Sequence, residues 1–361
     1  MRPEPSWMPY TVTHESGMSG PPGERFAFNL PRERGEFDAF VASSHTATAT
    51  HLHVGVEPSA KADEILATLA KLALPHLVGL GLHIARQGIP SESLRSVLSA
   101  PFFPALELLH LEGAITCAQL QMVISVVPFM RLRRLRLRMF EPIDDALAHA
   151  LANAPSLGTL DELILWVNDG TAEQRLGAII GASSVLTRLG HVAFRCLTEA
   201  GARAFLGARD WPSVLAELDL GGSSVGPGFC AELALARWSK LQRLCLHGNV
   251  VEDAGAAALA ASASLRALTH LDLGTCRLSD VGLCEILTSH AFPELTFLDL
   301  NNNHRARPGP VVVALEGATG LTKLEMLDLG QCNIRQATAP FRGRANLPKL
   351  RWLKFGHQEY E

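Results

Sequence analysis

The chain has 361 residues, with 32 lysines and arginines against 36 aspartates and glutamates and a formal charge of -4 at neutral pH. That length makes two or three ordinary domains, or one elongated domain whose size is set by repetition. The near balance of charge argues against a long-range pull toward nucleic acid or anionic lipid, and the seven cysteines, with no CxxC pair among them, argue against a zinc ribbon or a disulfide framework and fit a reducing, cytoplasmic setting.

The opening stretch, MRPEPSWMPYTV, lacks the apolar core of a secretory signal. Six prolines fall in the first 31 residues, so residues 1–24 are expected to be a flexible Pro/Gly-rich segment. FAF (Phe26 to Phe28) and the following GEFDAFVASS then give a strand and a helix. We read residues 25–49 as a degenerate N-terminal capping unit, the alternative being a short hairpin that covers the next coil. The most apolar window, Ile65 to Ile84, is broken by Lys71, Pro75 and His76, so no membrane span is expected.

From residue 50 onward one phrase recurs. It runs THLHVGV (from Thr50), LVGLGL (Leu77), LELLHL (Leu106), LRRLRL (Leu132), LDELIL (Leu160), LGHVAF (Leu189), LAELDL (Leu215), LQRLCL (Leu241), LTHLDL (Leu268), LTFLDL (Leu295), LEMLDL (Leu324) and LRWLKF (Leu350). These twelve copies step by 26 to 29 residues, measured from Leu52 through to Leu353. A fixed period in this range means a solenoid in which each unit buries its apolar face against its neighbours. Three positions beyond the last strand leucine many copies carry a small polar residue, namely Asn168, Ser223, Asn249, Cys276, Asn303 and Cys332. Such side chains can bond the turn backbones of adjacent coils, which would otherwise be buried unsatisfied. An apolar residue and a glycine four later follow, as in Leu197 and Gly201, Val251 and Gly255, Leu278 and Gly282, enclosing the Ser/Thr/Asp/Glu chemistry of a helix start.

This LxxLxLxx(N/C)x(L/I) pattern resembles the leucine-rich repeat family over residues 50–361. The period is similar to the ribonuclease-inhibitor-like subtype, and Cys276 and Cys332 to the cysteine-containing subtype. The resemblance implies an α/β solenoid, a curved horseshoe with a parallel β-sheet on the concave face and helices on the convex face. Glu57, Ala85, Ala114 and Phe140 depart from the pattern at the ladder position, and Asn303-His304-Arg305 lacks the usual apolar residue, so those coils should be less regular. Gly222-Ser223-Ser224-Val225-Gly226 matches GxSxG, the turn that presents a serine nucleophile. In repeat register, however, Ser223 is a ladder residue and Val225 a turn anchor, so Ser224 is read as structural.

Strand side chains alternate, so the residues flanking each inner anchor face outward and are free to bind. These include Arg134, Arg136 and Arg138, then Trp166, and an acidic row of Asp219, Asp272, Asp299 and Asp328, which could also be solvated strand residues. Phe297, Met326 and Trp352 fall at equivalent positions on consecutive strands and should form an exposed apolar ridge bordered by Asp299, Asp328 and Lys354. A C-terminal tail folded back over the ridge is the alternative. His51, His53, His83 and His110 crowd the first strands, but no spacing motif supports a metal. The arginine run from Arg131 to Arg138 reads as one basic stripe and not as a nucleic-acid signal.

The expected function is non-catalytic protein binding through the concave face, with no cofactor or metal. The residues assigned to the partner are Arg134, Arg136, Arg138, Trp166, Asp272, Phe297, Asp299, Met326, Asp328, Trp352 and Lys354. The resemblance also extends to Ran GTPase-activating proteins and ribonuclease inhibitor, implying enzyme regulation as the alternative, and to ubiquitin-ligase adaptors, which the Pro/Gly-rich start argues against. Only GHQEYE follows LRWLKF, so the last strand is expected to keep an open edge through which a second copy could pair.

Overall fold

The computed structural model describes residues 24–30, 32–57, 62–85, 88–126, 129–167, 174–195, 197–332, 346–356 and 358–360. The N-terminal segment up to residue 23 and the ladder residue Asn168 lie outside them. The chain divides into two compact units, Met1–Phe140 and Glu141–Glu361.

In the first unit β1 (Glu24–Leu30), β2 (Ala49–Val56), β3 (Gly79–Ile84), β4 (Leu108–Gly113) and β5 (Arg134–Met139) alternate with α1 (Arg34–Ala42), α2 (Ala62–Lys71), α3 (Ser91–Leu98) and α4 (Cys117–Val126). The strands are parallel and ordered as in the sequence. Phe26 pairs with Leu52, Leu52 with Leu80, Leu80 with Leu109 and Leu109 with Leu135, so the repeat anchors form one row. Parallel strands need a crossover of a dozen or more residues, and in each coil of this unit a helix supplies part of it.

The second unit holds α5 (Asp145–Asn153), β6 (Glu162–Val167), α6 (Gln174–Gly181), β7 (His191–Phe194), α7 (Glu199–Gly207), β8 (Glu217–Asp219), α8 (Pro227–Leu235), β9 (Arg243–Cys245), α9 (Glu252–Ala260), β10 (His270–Asp272), α10 (Asp280–Thr288), β11 (Phe297–Asp299), α11 (Pro308–Glu316), β12 (Met326–Gly330), β13 (Trp352–Gly356) and β14 (Gln358–Tyr360). Strands β6 to β13 run parallel with Leu163, Val192, Leu218, Leu244, Leu271, Leu298, Leu327 and Leu353 in register. Both units are built from the same α/β leucine-rich repeat coil. The expected open edge is corrected: β14 turns back antiparallel on β13, pairing Leu353 with Tyr360.

The ladder does what its chemistry requires. Asn303 Oδ1 accepts from the N–H groups of Cys276 and Leu278, both at 3.0 Å, and its Nδ2 donates to the carbonyls of Leu273 (3.0 Å) and Leu300 (2.8 Å). Asn249 likewise accepts from Val225 N and donates to Leu220 and Leu246. Cys276 and Cys332 donate weakly from Sγ to Leu246 and Leu300, each at 3.0 Å, and Ser223 Oγ donates to Phe194 O at 2.9 Å. Where the ladder residue is absent the strand simply continues: the N–H groups of Glu57, Ala85 and Ala114 join the sheet by donating to Leu30, Val56 and Ile84. Strands β2 to β5 are accordingly six to eight residues long, against three in β8 to β11. At the irregular site Ala306, 2% exposed, reaches the core one position after Arg305, where the apolar anchor is missing.

Helices are tied to one another at their N-termini. Asp253 of α9 accepts from Ser279 N (2.8 Å), Ser279 Oγ (2.6 Å) and Gly282 N (3.0 Å) at the start of α10. A Cβ at Gly282 would stand 2.5 Å from that carboxylate, which explains the glycine at this helix start.

Replacing Asn303 with alanine would strand buried donors and acceptors in two adjacent coils. Asn303→Ala should cost about 3 to 5 kcal/mol in denaturant unfolding. Asn153→Ala, which removes one exposed bond to His149 O, should cost about 1 kcal/mol or less.

Candidate interaction face

Strand register places the outward residues of the second unit in rows. The first row runs Glu162, His191, Glu217, Arg243, His270, Phe297, Met326, Trp352; the second includes Asp219, Cys245, Asp272, Asp299, Asp328 and Lys354. Neighbours within a row are about 4.8 Å apart, so each side chain must lie against the next.

The expected ridge of Phe297, Met326 and Trp352 is in register, but its exposure is corrected. Phe297 keeps 3% of its surface and Trp352 5%, while Met326 is half-buried. In the row the Phe297 ring lies nearly flat against the His270 imidazole, with centroids 5.7 Å apart and planes at 23°. The imidazole thus covers one face of the Phe297 ring.

The acidic row is also corrected. Asp219, Asp272, Asp299 and Asp328 are all buried, at 7%, 5%, 1% and 2% exposure. Each Oδ1 accepts from the N–H two residues on, at Gly221 (2.7 Å), Gly274 (2.9 Å), Asn301 (2.8 Å) and Gly330 (2.7 Å). This is an Asx turn repeated in four coils, which turns the chain out of its strand. At Gly330 a Cβ would meet Lys354 Cδ and Cε at 3.1 Å, so the lysine stem lies across the glycine of the preceding strand. Cys245 sits between Asp219 and Asp272, and burial, then those two carboxylates, push its thiol well above its usual range.

What remains accessible is a polar network. His191 Nδ1 stands 3.2 Å from Glu162 Oε2 and 3.3 Å from Glu217 Oε2, and Arg243 donates to Glu217 at 2.8 Å. The Arg195 guanidinium lies 4.6 Å above the Trp166 ring and 3.6 Å from Asp219. His191, Glu217, Arg243, Trp166 and Arg195 are half-exposed. Of these, only Trp166 was among the residues assigned from sequence. The signal for His191, Glu217 and Arg243 was legible as Glu, His, Glu, Arg at one repeat position in four consecutive copies, while Arg195 falls at the last outward position of its own copy.

In the first unit Arg134, Arg136 and Arg138 face outward from β5, each half-exposed. Arg138 donates to Glu112 of β4 at 2.7 Å, and His110 Nε2 is 3.8 Å from the same carboxylate. The histidines lie flat over glycines. A Cβ on Gly79 would be 2.4 Å from His51 Cδ2, and one on Gly81 2.3 Å from His53 Nδ1. Lying across Gly81, the His53 ring comes within 6.3 Å of the His110 ring two strands away. Burial, then His53 and the arginines Arg136 and Arg138, push His110 down to about 3; burial and His83 lower His53. Among the described residues no group of three or more His, Cys, Asp or Glu is placed to hold a metal ion.

Ser224 is exposed, and its N–H donates to Leu197 O in a bridge between adjacent coils. The preceding Gly222, at φ +67°, supplies the left-handed turn.

His110 binds its proton in the unfolded chain near the usual 6.5 but in the folded protein only near 3. Its contribution to stability is therefore complete above the higher value and is lost as pH falls between the two. Between about pH 7.5 and about pH 4.5, His110→Gln should lose less thermal stability than the wild type, by about 2 °C or more in Tm. Equal losses in the two proteins would show that His110 does not carry this dependence.

No family model matches the chain, and no curated protein matches it. Among solved structures it is similar to a chain in the crystal structure of the Rad7 and Elc1 complex of yeast, at 16% identity and a TM-score of 0.48, covering 80% of this chain and 78% of that one. It is also similar to an internalin of Listeria monocytogenes, at 18% identity and a TM-score of 0.42, covering 86% and 87%. The leucine-rich repeat architecture itself rests on the anchors, ladder bonds and parallel strands of this chain.

Proposed function

We propose that this chain is a non-catalytic interaction scaffold that holds a partner protein against the outward face of its strands. The observation that carries this reading is the network of Glu162, His191, Glu217, Arg243, Trp166 and Arg195. Its charged and aromatic side chains stand on strands, already oriented by ion pairs and a cation–π contact, and all but the buried Glu162 are half-exposed. Preorganised tryptophan and arginine lose little entropy on binding and are the residues that dominate interfaces.

Arg134, Arg136, Arg138, Trp166, Met326 and Lys354 are the assigned contacts that keep accessible surface. Asp272, Asp299, Asp328, Phe297 and Trp352 shape the face from beneath. The ribonuclease-inhibitor-like subtype and the cytoplasmic setting belong to this proposal. No helix among the described residues is long and apolar enough to cross a membrane.

The test compares wild type, Trp166→Ala and, on the helix side, Val313→Ala in affinity capture followed by binding with the purified partner. Trp166→Ala should lose about 2 kcal/mol, roughly 30-fold in Kd, with unchanged Tm, while Val313→Ala binds as the wild type does. Equal binding by all three would remove the strand face from the interaction.

A further inference from the structure

In the second unit the repeat breaks at Asn303-His304-Arg305, and the break brings cations out on the turns that lead from strand to helix. Ala306 takes the place of the apolar anchor, so Arg305 stands exposed where the three preceding coils bury Val225, Val251 and Leu278. His304 comes just before it. Arg277 holds the same place as His304 in the coil before, because the ladder residues that precede them, Cys276 and Asn303, are bonded at 3.0 Å. The backbone of Arg305 bridges to Ser279 of that coil, so the three cations share two adjacent turns, and all three are exposed.

Elsewhere in this unit arginines on adjoining coils meet a carboxylate: Arg175 meets Asp145, Arg203 meets Glu232, and Arg307, at the foot of α11, meets Asp280. Arg277, His304 and Arg305 make no side-chain hydrogen bond or ion pair among the described residues. Of the carboxylates tied to these two turns, Asp280 is engaged by Arg307 and Asp253 by the start of α10. Glu252, whose N–H donates to Cys276 O, makes no ion pair among the described residues. Arg277 is held in left-handed backbone at φ +61°, with Thr275 at +57° and Asn302 at +59° beside it. A residue with a side chain adopts that conformation at a cost that glycine escapes. Asn302 Nδ2 donates to Thr275 Oγ1 at 3.0 Å and ties the two turns together.

We propose that this strand-to-helix rim of the second unit, at Arg277, His304 and Arg305, docks an acidic segment of the partner protein, whose carboxylates pair with the two guanidinium groups. The proposal rests on the scaffold reading above and adds the chemistry of the partner at the rim. The Asx turns of Asp272 and Asp299 lead the chain off the strand face at Gly274 and Asn301, so the rim adjoins that face. Two guanidinium groups that bind no carboxylate of their own favour a carboxylate-bearing chain, on a molecule whose net charge is -4. Single-stranded nucleic acid needs aromatic platforms for its bases, and residues 274–279 and 301–307 hold no aromatic ring besides the His304 imidazole.

The experiment uses the full chain with three probes of equal length: a glutamate-rich peptide, a lysine-rich peptide and an oligothymidylate. Dissociation constants are measured for the wild type, Arg277→Gly, the double variant Arg277→Gly/Arg305→Gln, and Arg237→Gln, which removes an exposed arginine outside the rim. The glutamate peptide should bind saturably and the lysine peptide should not. Arg277→Gly should weaken the glutamate peptide about threefold and the double variant about tenfold, whereas Arg237→Gln changes it by less than about twofold. Glycine suits the left-handed backbone at position 277, so Arg277→Gly should melt no lower than the wild type, and its weaker binding then reports a lost contact and not a lost fold. Absence of saturable glutamate-peptide binding, indifference to Arg277→Gly and the double variant, or equal weakening by Arg237→Gln would overturn the proposal. Tighter binding of the oligothymidylate would overturn it in favour of nucleic acid. Partner capture that is lost in Trp166→Ala and unchanged in the double variant would also overturn it while leaving the scaffold reading standing, so the two failures are distinguishable.

Discussion

Every coil must bring its chain out of a buried strand and into a helix while the turn stays packed between two neighbouring turns. No water reaches that place, so each N–H and C=O there needs a partner from the protein. The side chains of Asn249 and Asn303 meet the requirement most fully, each bonding its own coil and the preceding one. Cysteine and serine meet it partly, each cysteine with one bond to the preceding coil and Ser223 with two. Where none is present the backbone satisfies itself by prolonging the sheet, as at Glu57, Ala85 and Ala114. Strand length is thus a consequence of how the turn is bonded, and it changes how many side chains each coil presents. A three-residue strand shows two outward positions before its Asx turn; a six-residue strand shows three.

The same crowding decides the chemistry of the face. In-register parallel strands stack identical positions side by side, and the molecule accommodates this by alternating large groups with glycines. His51 covers Gly79, His53 covers Gly81 and the Lys354 stem covers Gly330. The covered face of each side chain leaves water while an edge or polar tip stays outside. Such a surface is stiff, because rotating one imidazole requires its neighbour to move. Neutral histidines in the first unit and the paired glutamates and histidine of the second are both products of this close lateral packing.

Anchors and ladder residues were legible in the sequence because each recurs at a fixed step and does one job in every coil. The outward direction of Arg136, Trp166 or Phe297 was legible from alternation alone. Degree of burial was not. Whether Phe297 meets water depends on His270, twenty-seven residues earlier, and on how the two rings tilt. The aspartates of the LDL phrase looked like surface charges because the Asx turn they make is fixed by backbone geometry two residues on, which composition does not reveal. Strand β14 was missed because GHQEYE is too short to show a period and contributes only three strand residues.

That last strand has a consequence for self-assembly. A stack of like coils ends in a surface that resembles the one every internal coil offers its neighbour, so a bare terminal coil invites head-to-tail addition of another molecule and an open filament. Strand β14 runs against the direction of all the strands before it in its unit. The edge beyond β13 is therefore that of a reversed strand and not a copy of the edge that each internal coil offers the next.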